Sequence, residues 1–352
     1  MNSQLSEEFN VEFMKYLFSS INGVGPTKSE MIIGHIDSVS SFLSQNEESL
    51  KTYYTASEKR IIEDNKIHLF INARDELKDM IEKFDLKNDI NKIWITYLIR
   101  DFIVTQIKNI NNLKLEDIDL NPHLIFLMGL KDREVFDFFV TQTISRSIVT
   151  SWGMNVEKFL KYSGCLSNIN IKDILIDSIG ISKFNELKGS KADLIKIKDN
   201  QLYLIQVKSG PNTMNVEMVE GLNKAMNIME SSNIEKINQY LSAQGYNEIK
   251  SVISILGMTY GNRSKISTQI KSNLTNFDTK VKIGHELWDF ISEEKDYSNV
   301  LLNIIDKASQ FFTPASNNLS KIITEKVDEI YKTWQEKYEE QNIHDILKKY
   351  YL

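Results

Sequence analysis

KGSKADLIKIKDNQLYLIQVKSGPNTMN, residues 188 to 215, is the stretch from which the fold can be read. Two β-rich runs, Ala192 to Ile197 and Leu202 to Lys208, flank Asp199 and Asn200. Aspartate and asparagine tolerate the positive φ angles of a tight two-residue turn, so the stretch reads as a β-hairpin. With Asp199 and Asn200 at the turn's centre, counting back along both strands brings Asp193 opposite Gln206. Lys208 follows two residues on, on the same face.

A carboxylate, an amide oxygen and an ammonium thus share one side of a ribbon otherwise filled by Ile195, Ile197, Leu202 and Leu204. Polar groups among apolar neighbours are costly unless they are paired or used. Carboxylate and amide oxygens suit a hard divalent cation, and a neighbouring lysine can hold a phosphate or steer an attacking water, so the trio is adequate for metal-assisted phosphodiester hydrolysis. The same spacing also suits an ordinary amphipathic hairpin with polar ends.

At Asp193, Gln206 and Lys208 the chain resembles the PD-(D/E)XK nuclease superfamily and, within it, the type II restriction endonucleases. Those enzymes carry an acidic residue at the end of one strand and a (D/E)-x-K on the next. Here Ala192 stands in place of the usual proline and Gln206 in place of the middle acid. Glutamine can ligate a metal through its carbonyl but brings no negative charge, so another carboxylate is required. The superfamily often offers one from the preceding helix, and Glu157 in WGMNVEKF occupies that place. The alternative reading of Glu157 is a solvated helix carboxylate. The resemblance implies Mg²⁺ held by Asp193, Glu157 and the Gln206 carbonyl, Lys208 beside the attacked phosphate, and a product with a 5′-phosphate.

The chain of 352 residues, 41% of them apolar, has material for a large core and two or three domains. Its single cysteine, Cys165, excludes an internal disulfide framework and a cysteine-based zinc site, and fits a reducing cytosol. No apolar run approaches a membrane span, and MNSQLSEEFNVEF is acidic where a secretory signal is basic, so a soluble cytoplasmic protein without a membrane partner is expected. A net charge of −6 argues against non-specific coating of nucleic acid but leaves room for a basic cleft.

Residues 1 to 79 read as helical, and LFSSINGVGPTKSEMII, Leu17 to Ile33, resembles a helix-hairpin-helix motif. Gly23 and Gly25 lie between the helices, Pro26 suits the first helical position, and Thr27 and Lys28 open the second helix, whose exposed amides suit a phosphate. The likeness continues through His35 to Leu43, Glu47 to Leu50 and Tyr53 to Lys59, as a second hairpin without its glycines. A helical connector with a Gly-x-Gly turn is the alternative.

Ile93, Trp94, Tyr97, Leu98, Phe102 and Ile103 form the apolar side of a core helix, and His123 beside Pro122 reads as a loop or core residue. Ser145, Arg146 and Ser147, with Thr150 and Ser151, make a polar stripe suited to phosphate contacts. Beyond Lys208, Ser209-Gly210-Pro211-Asn212 is a turn, with Thr213 or Asn215 capping a helix to about Met229. Ile249 to Tyr260 reads as a buried central strand leading to Gly261-Asn262-Arg263-Ser264-Lys265, where Asn262, Arg263 and Lys265 are candidates for base or phosphate contacts or belong to a solvated loop. His285, in VKIGHELWDFI, reads as structural, and an apolar stripe from Ile323 to Tyr338 packs on the body or on a second subunit.

The expected fold is α/β: a restriction-endonuclease-like core with a mixed central sheet flanked by helices, preceded by an all-α N-terminal domain. Boundaries are expected at 1–79 for a helix-hairpin-helix-like DNA-binding domain, 80–132 for a helical connector, 133–312 for the nuclease core and 313–352 for a C-terminal amphipathic region. The expected activity is that of an Mg²⁺-dependent, site-specific endodeoxyribonuclease acting on double-stranded DNA. Its expected catalytic residues are Asp193, Glu157, Gln206 and Lys208. Gly23, Gly25, Thr27, Lys28, Arg146, Ser209, Asn212, Asn262 and Arg263 are the expected DNA contacts. A homodimer is expected because a palindromic site matches a two-fold protein, and a cognate DNA methyltransferase is the expected genetic partner. A structure-specific repair or recombination nuclease, and a DNA-binding protein without catalysis, are the rival readings.

Overall fold

The computed structural model describes residues 3–53, 61–87, 89–187, 191–313, 318–338 and 342–350. Residues 54–60, which carry nearly all of the last segment of the second hairpin-like match, and Lys188 to Ser190, at the head of the quoted stretch, lie outside them. Contacts divide the chain into two compact units, one formed by Met1–Ile95 and Val156–Leu301, the other by Thr96–Asn155 and Leu302–Leu352.

In the first unit the hairpin is present: β1, Leu194–Lys198, runs antiparallel to β2, Gln201–Lys208. Asp199 and Asn200 adopt φ of 51° and 59°, the left-handed pair that a two-residue hairpin turn needs. β2 pairs in parallel with β3, Ser251–Met258, and β3 in parallel with β4, Val281–Ile283. The order β1-β2-β3-β4 makes a mixed four-stranded sheet, and the parallel joins require crossovers, supplied here by helices. Val216–Glu230 and Ile234–Ala243 connect β2 to β3. Asn215 caps the first of these by accepting from the Met218 amide at 2.9 Å, as its sequence position suggests.

Strand alternation sorts the two faces of the sheet. Leu202, Leu204, Ile195 and Leu256 share a core with Leu222, Met226 and Leu241 of the crossover helices. A methyl built on Gly257 would meet Leu287 and Ile205, so the helix His285–Ser292 covers the other face. The first face is the one from which Gln206 and Lys208 project.

The N-terminal region of this unit is helical: Ser3–Ser20, Pro26–Ile33, Val39–Leu43, Glu47–Leu50 and Ile67–Phe84. Phe9, Phe13, Met14, Leu17 and Phe18 recur at helical spacing and are fully buried, and Phe13 packs on Trp94, which stacks on Tyr162 at 3.9 Å. Cys165 is buried and burial pushes its thiol up to about 12, which removes it from thiolate chemistry at neutral pH.

In the second unit Phe136, Phe139, Val140 and Ile144 pack with Ile322, Val327, Ile330 and Trp334. The C-terminal stripe therefore finds its partners in the unit's own core. Lys326 is buried there and answers its charge by donating to the carbonyls of Asn111 and Leu113 while pairing with Glu329 at 2.8 Å. Among the described residues no helix is long and apolar enough to cross a membrane.

The turn fixes the register that aligns the site, so its conformation can be tested. Asn200→Gly should leave stability unchanged or raise it. Asn200→Val, a β-branched residue at positive φ, should cost about 1–3 kcal/mol, measured as a lower urea midpoint with an unchanged slope.

Candidate active site

The antiparallel register runs from Lys198↔Gln201 to Leu194↔Ile205 and would next pair Asp193 with Gln206. It stops one residue short. Asp193 instead donates its amide to the Ile205 carbonyl at 2.8 Å, and its carboxylate Oδ2 accepts the Val207 amide at 2.7 Å. A side-chain oxygen has taken the place of a ladder partner. The carboxylate is thereby held against the backbone of Gln206-Val207-Lys208, which is where the sequence spacing puts it, through a contact that spacing does not reveal.

Glu157 stands on the helix Arg133–Tyr162. Its charge interacts with those of Asp193 and Lys208. Both carboxyls titrate above the ordinary carboxylate range. For Glu157 desolvation by the surrounding protein is the main cause and the charge of Asp193 adds to it, with Lys208 opposing. For Asp193 desolvation outweighs the Val207 hydrogen bond and Lys208. Each side chain nevertheless has an exposed side, so the pair lines a surface accessible to solvent, with protein behind it. Gln206 is 3% exposed, and Lys208 is half-buried.

Two nearby carboxylates with one lysine leave an excess of negative charge, and oxygen donors of this kind suit a divalent cation. Among the described residues no three or more His, Cys, Asp or Glu side chains gather to hold a metal. Asp193, Glu157 and the Gln206 amide oxygen are the candidate oxygen donors here.

The remaining candidates are dispersed. Ser209 and Asn212 are exposed just past Lys208, and the Asn212 amide is satisfied when its nitrogen faces the Lys265 and Pro211 carbonyls. Asn262 accepts from the Ser264 hydroxyl. Arg263 is committed within the protein: its Nε and Nη2 fork onto Glu286, each at 2.8 Å, and Nη2 also donates to the Val281 carbonyl. That fork ties the loop after β3 to β4 and the next helix. Arg146 is exposed and belongs to the second unit.

Gly25 caps the helix Pro26–Ile33 with no side-chain hydrogen bond and Pro26 fills its first turn, leaving the following amides to solvent. Thr27 is exposed beside them, and Gly23 turns at φ 78°. Lys28 pairs with Glu63 at 2.6 Å. Glu63 also meets Lys66, whose ammonium donates to the Gly23 carbonyl. An exposed pair of this kind is screened by solvent and weak, so a phosphate could compete for Lys28. His285 Nδ1 lies 2.5 Å from the Ser298 hydroxyl, away from the candidate site residues in its contacts.

A family model for the type II restriction endonuclease EcoO109I matches residues 88–311. The chain belongs to the type II restriction endonuclease EcoO109I family. At the family level this carries sequence-specific endonucleolytic cleavage of DNA, and DNA is accordingly the substrate. The matched span contains Glu157, the whole hairpin, β3 and β4, whereas the helices before residue 88 lie outside it. No curated protein matches the sequence.

Raised carboxyl pKa values have a thermodynamic sign. The folded protein binds protons more readily than the unfolded chain, so this contribution to stability falls as pH rises from the ordinary carboxylate range through the raised folded values. Asp193→Asn retains an oxygen for the Val207 amide and should melt higher than wild type at neutral pH, with the difference vanishing below the unfolded carboxylate pKa of about 4. Thermal melts across that range measure the crossover.

Proposed function

We propose that the protein is an Mg²⁺-dependent type II restriction endonuclease of the PD-(D/E)XK kind, cutting double-stranded DNA to leave 5′-phosphates. The observation that carries this reading is that the Asp193 carboxylate, held on the Val207 amide, and Lys208 share the end of one strand inside the family-matched segment. Asp193, Glu157 and the Gln206 carbonyl would hold the metal. Bound there, Mg²⁺ would supply positive charge that polarises the scissile phosphate and lowers the pKa of a water.

The protein's own groups do the rest. The Val207 amide keeps the Asp193 carboxylate oriented. Lys208, at the end of β2, sets an ammonium against a phosphate oxygen and offsets charge that grows as the nucleophile adds. Ser209, Asn212 and Asn262, on the loops beyond β2 and β3, are suited to DNA contacts. Residues 1–79 serve as a helix-hairpin-helix-like appendage in which Gly23, Gly25, Thr27 and Lys28 meet phosphates and add affinity without sequence choice. We further propose action as a homodimer in the cytoplasm, beside a cognate DNA methyltransferase that shields host sites.

Unmethylated phage DNA incubated with protein and Mg²⁺ should give a ladder of discrete fragments. Asp193→Ala and Lys208→Ala should each lower the cleavage rate by about 100-fold or more, with the fold and DNA binding retained. Wild-type cleavage by either variant rejects the assignment. Gln206→Glu should shift the Mg²⁺ dependence while keeping activity at least in part under Mn²⁺, and Gln206→Leu should be silent. Identical metal dependence in all three proteins would make Gln206 a packing residue.

A further inference from the structure

Tyr260 is a large aromatic left in the open beside the candidate site. Its relative exposure is 60%, whereas the strand leading to it is buried from Ser254 through Thr259. The backbone holding it is fixed on several sides. Met258 pairs with Lys208 in the parallel ladder. The Thr259 amide donates to the Lys208 carbonyl at 3.1 Å and its hydroxyl to the Ser209 carbonyl at 2.8 Å. The buried Trp288 indole donates to the Thr259 carbonyl at 2.9 Å. Gly261, at φ 101°, then turns the chain away.

The phenol end lies over Gly210. A methyl built there would fall 2.5 Å from both Cζ and the hydroxyl oxygen of Tyr260. Gly210 is not at a positive φ, so its backbone does not require glycine. What the missing side chain provides is room for the ring. Gly210 is two residues beyond Lys208, a separation of at most about 7 Å along the chain. The ring is thus held on the rim of the site, pre-positioned and facing water.

Resting on the nuclease reading above, we propose that Tyr260 is a substrate-contacting residue whose ring stacks on a base or sugar of the DNA flanking the bond that is cut, and that Gly210 is the positioning residue that admits it. Stacking suits this place because an aromatic face offers contact at little conformational cost and every base presents a π-face. The shelf of Gly210 fixes where along the DNA that contact falls, so it contributes to the alignment of the scissile phosphate with Lys208.

The test uses full-length protein. Cleavage of unmethylated phage DNA is followed with Mg²⁺, and binding to the same DNA is followed without metal. Tyr260→Phe should cleave within about threefold of wild type. Tyr260→Ala should weaken binding or slow cleavage by about 10-fold to 100-fold, with an unchanged melting temperature because the side chain is mostly exposed. Gly210→Ala must displace the ring and should fall in the same direction, and the double variant should be no worse than Tyr260→Ala alone. Wild-type binding and cleavage by Tyr260→Ala, beside an active wild type, overturns the stacking role. Additive losses in the double variant overturn the Gly210 role. A wild type that cuts no DNA overturns the nuclease reading itself, and this inference with it.

Discussion

One hydrogen bond organises the site: the Val207 amide on the Asp193 carboxylate, 2.7 Å long. It lies where the β1–β2 ladder ends, and a side chain serves there as the backbone's partner. Without it the Val207 amide would lose its acceptor, an expensive loss for a residue only 5% exposed. With it, an anion is pinned beside Gln206 and Lys208. The bond does not fully compensate the carboxylate, which still titrates high because desolvation prevails. The residual cost is the kind that a bound cation removes.

The rest of the first unit serves that strand end. The turn at Asp199 and Asn200 fixes the register, the crossover helices bury the face on which Leu202 and Leu204 precede Gln206, and β3 carries Thr259 to lock the chain after Lys208. Glu157 arrives on a separate helix, so the two carboxylates depend on tertiary packing and not on local sequence. The family match covers both elements. The N-terminal helices lie before that span and form a different kind of surface, with bare helix amides at Gly25 and a lysine held by a weak exposed pair.

Much of this was legible in the sequence where the determinants are local. Period-two alternation and an Asp-Asn turn gave the hairpin and its register, Asn215 announced its helix, and the apolar run near Ile255 marked the inner strand. Contacts between distant residues were not legible. Arg263 reads from spacing as a candidate DNA contact or part of a solvated loop, and its pairing with Glu286, 23 residues on, has no signal in that spacing. Lys28 meets Glu63 across 35 residues. Asp193 was expected directly opposite Gln206, and the ladder ends just before that pair because its own carboxylate captures Val207. Glu157 was reached only through resemblance. Tyr260 closes an apolar strand pattern, and nothing in the spacing distinguishes an exposed final aromatic from a buried one.

The central claim is that a hairpin carboxylate and a helix carboxylate form one divalent-metal site. Calorimetric titration of Mn²⁺ into the DNA-free wild type, Glu157→Gln and Asp193→Asn proteins tests it without reference to cleavage. The account predicts saturable binding by the wild type and an affinity at least about tenfold weaker in each variant, because each removes a charged oxygen ligand from the same ion. Equal affinities in all three proteins would contradict it.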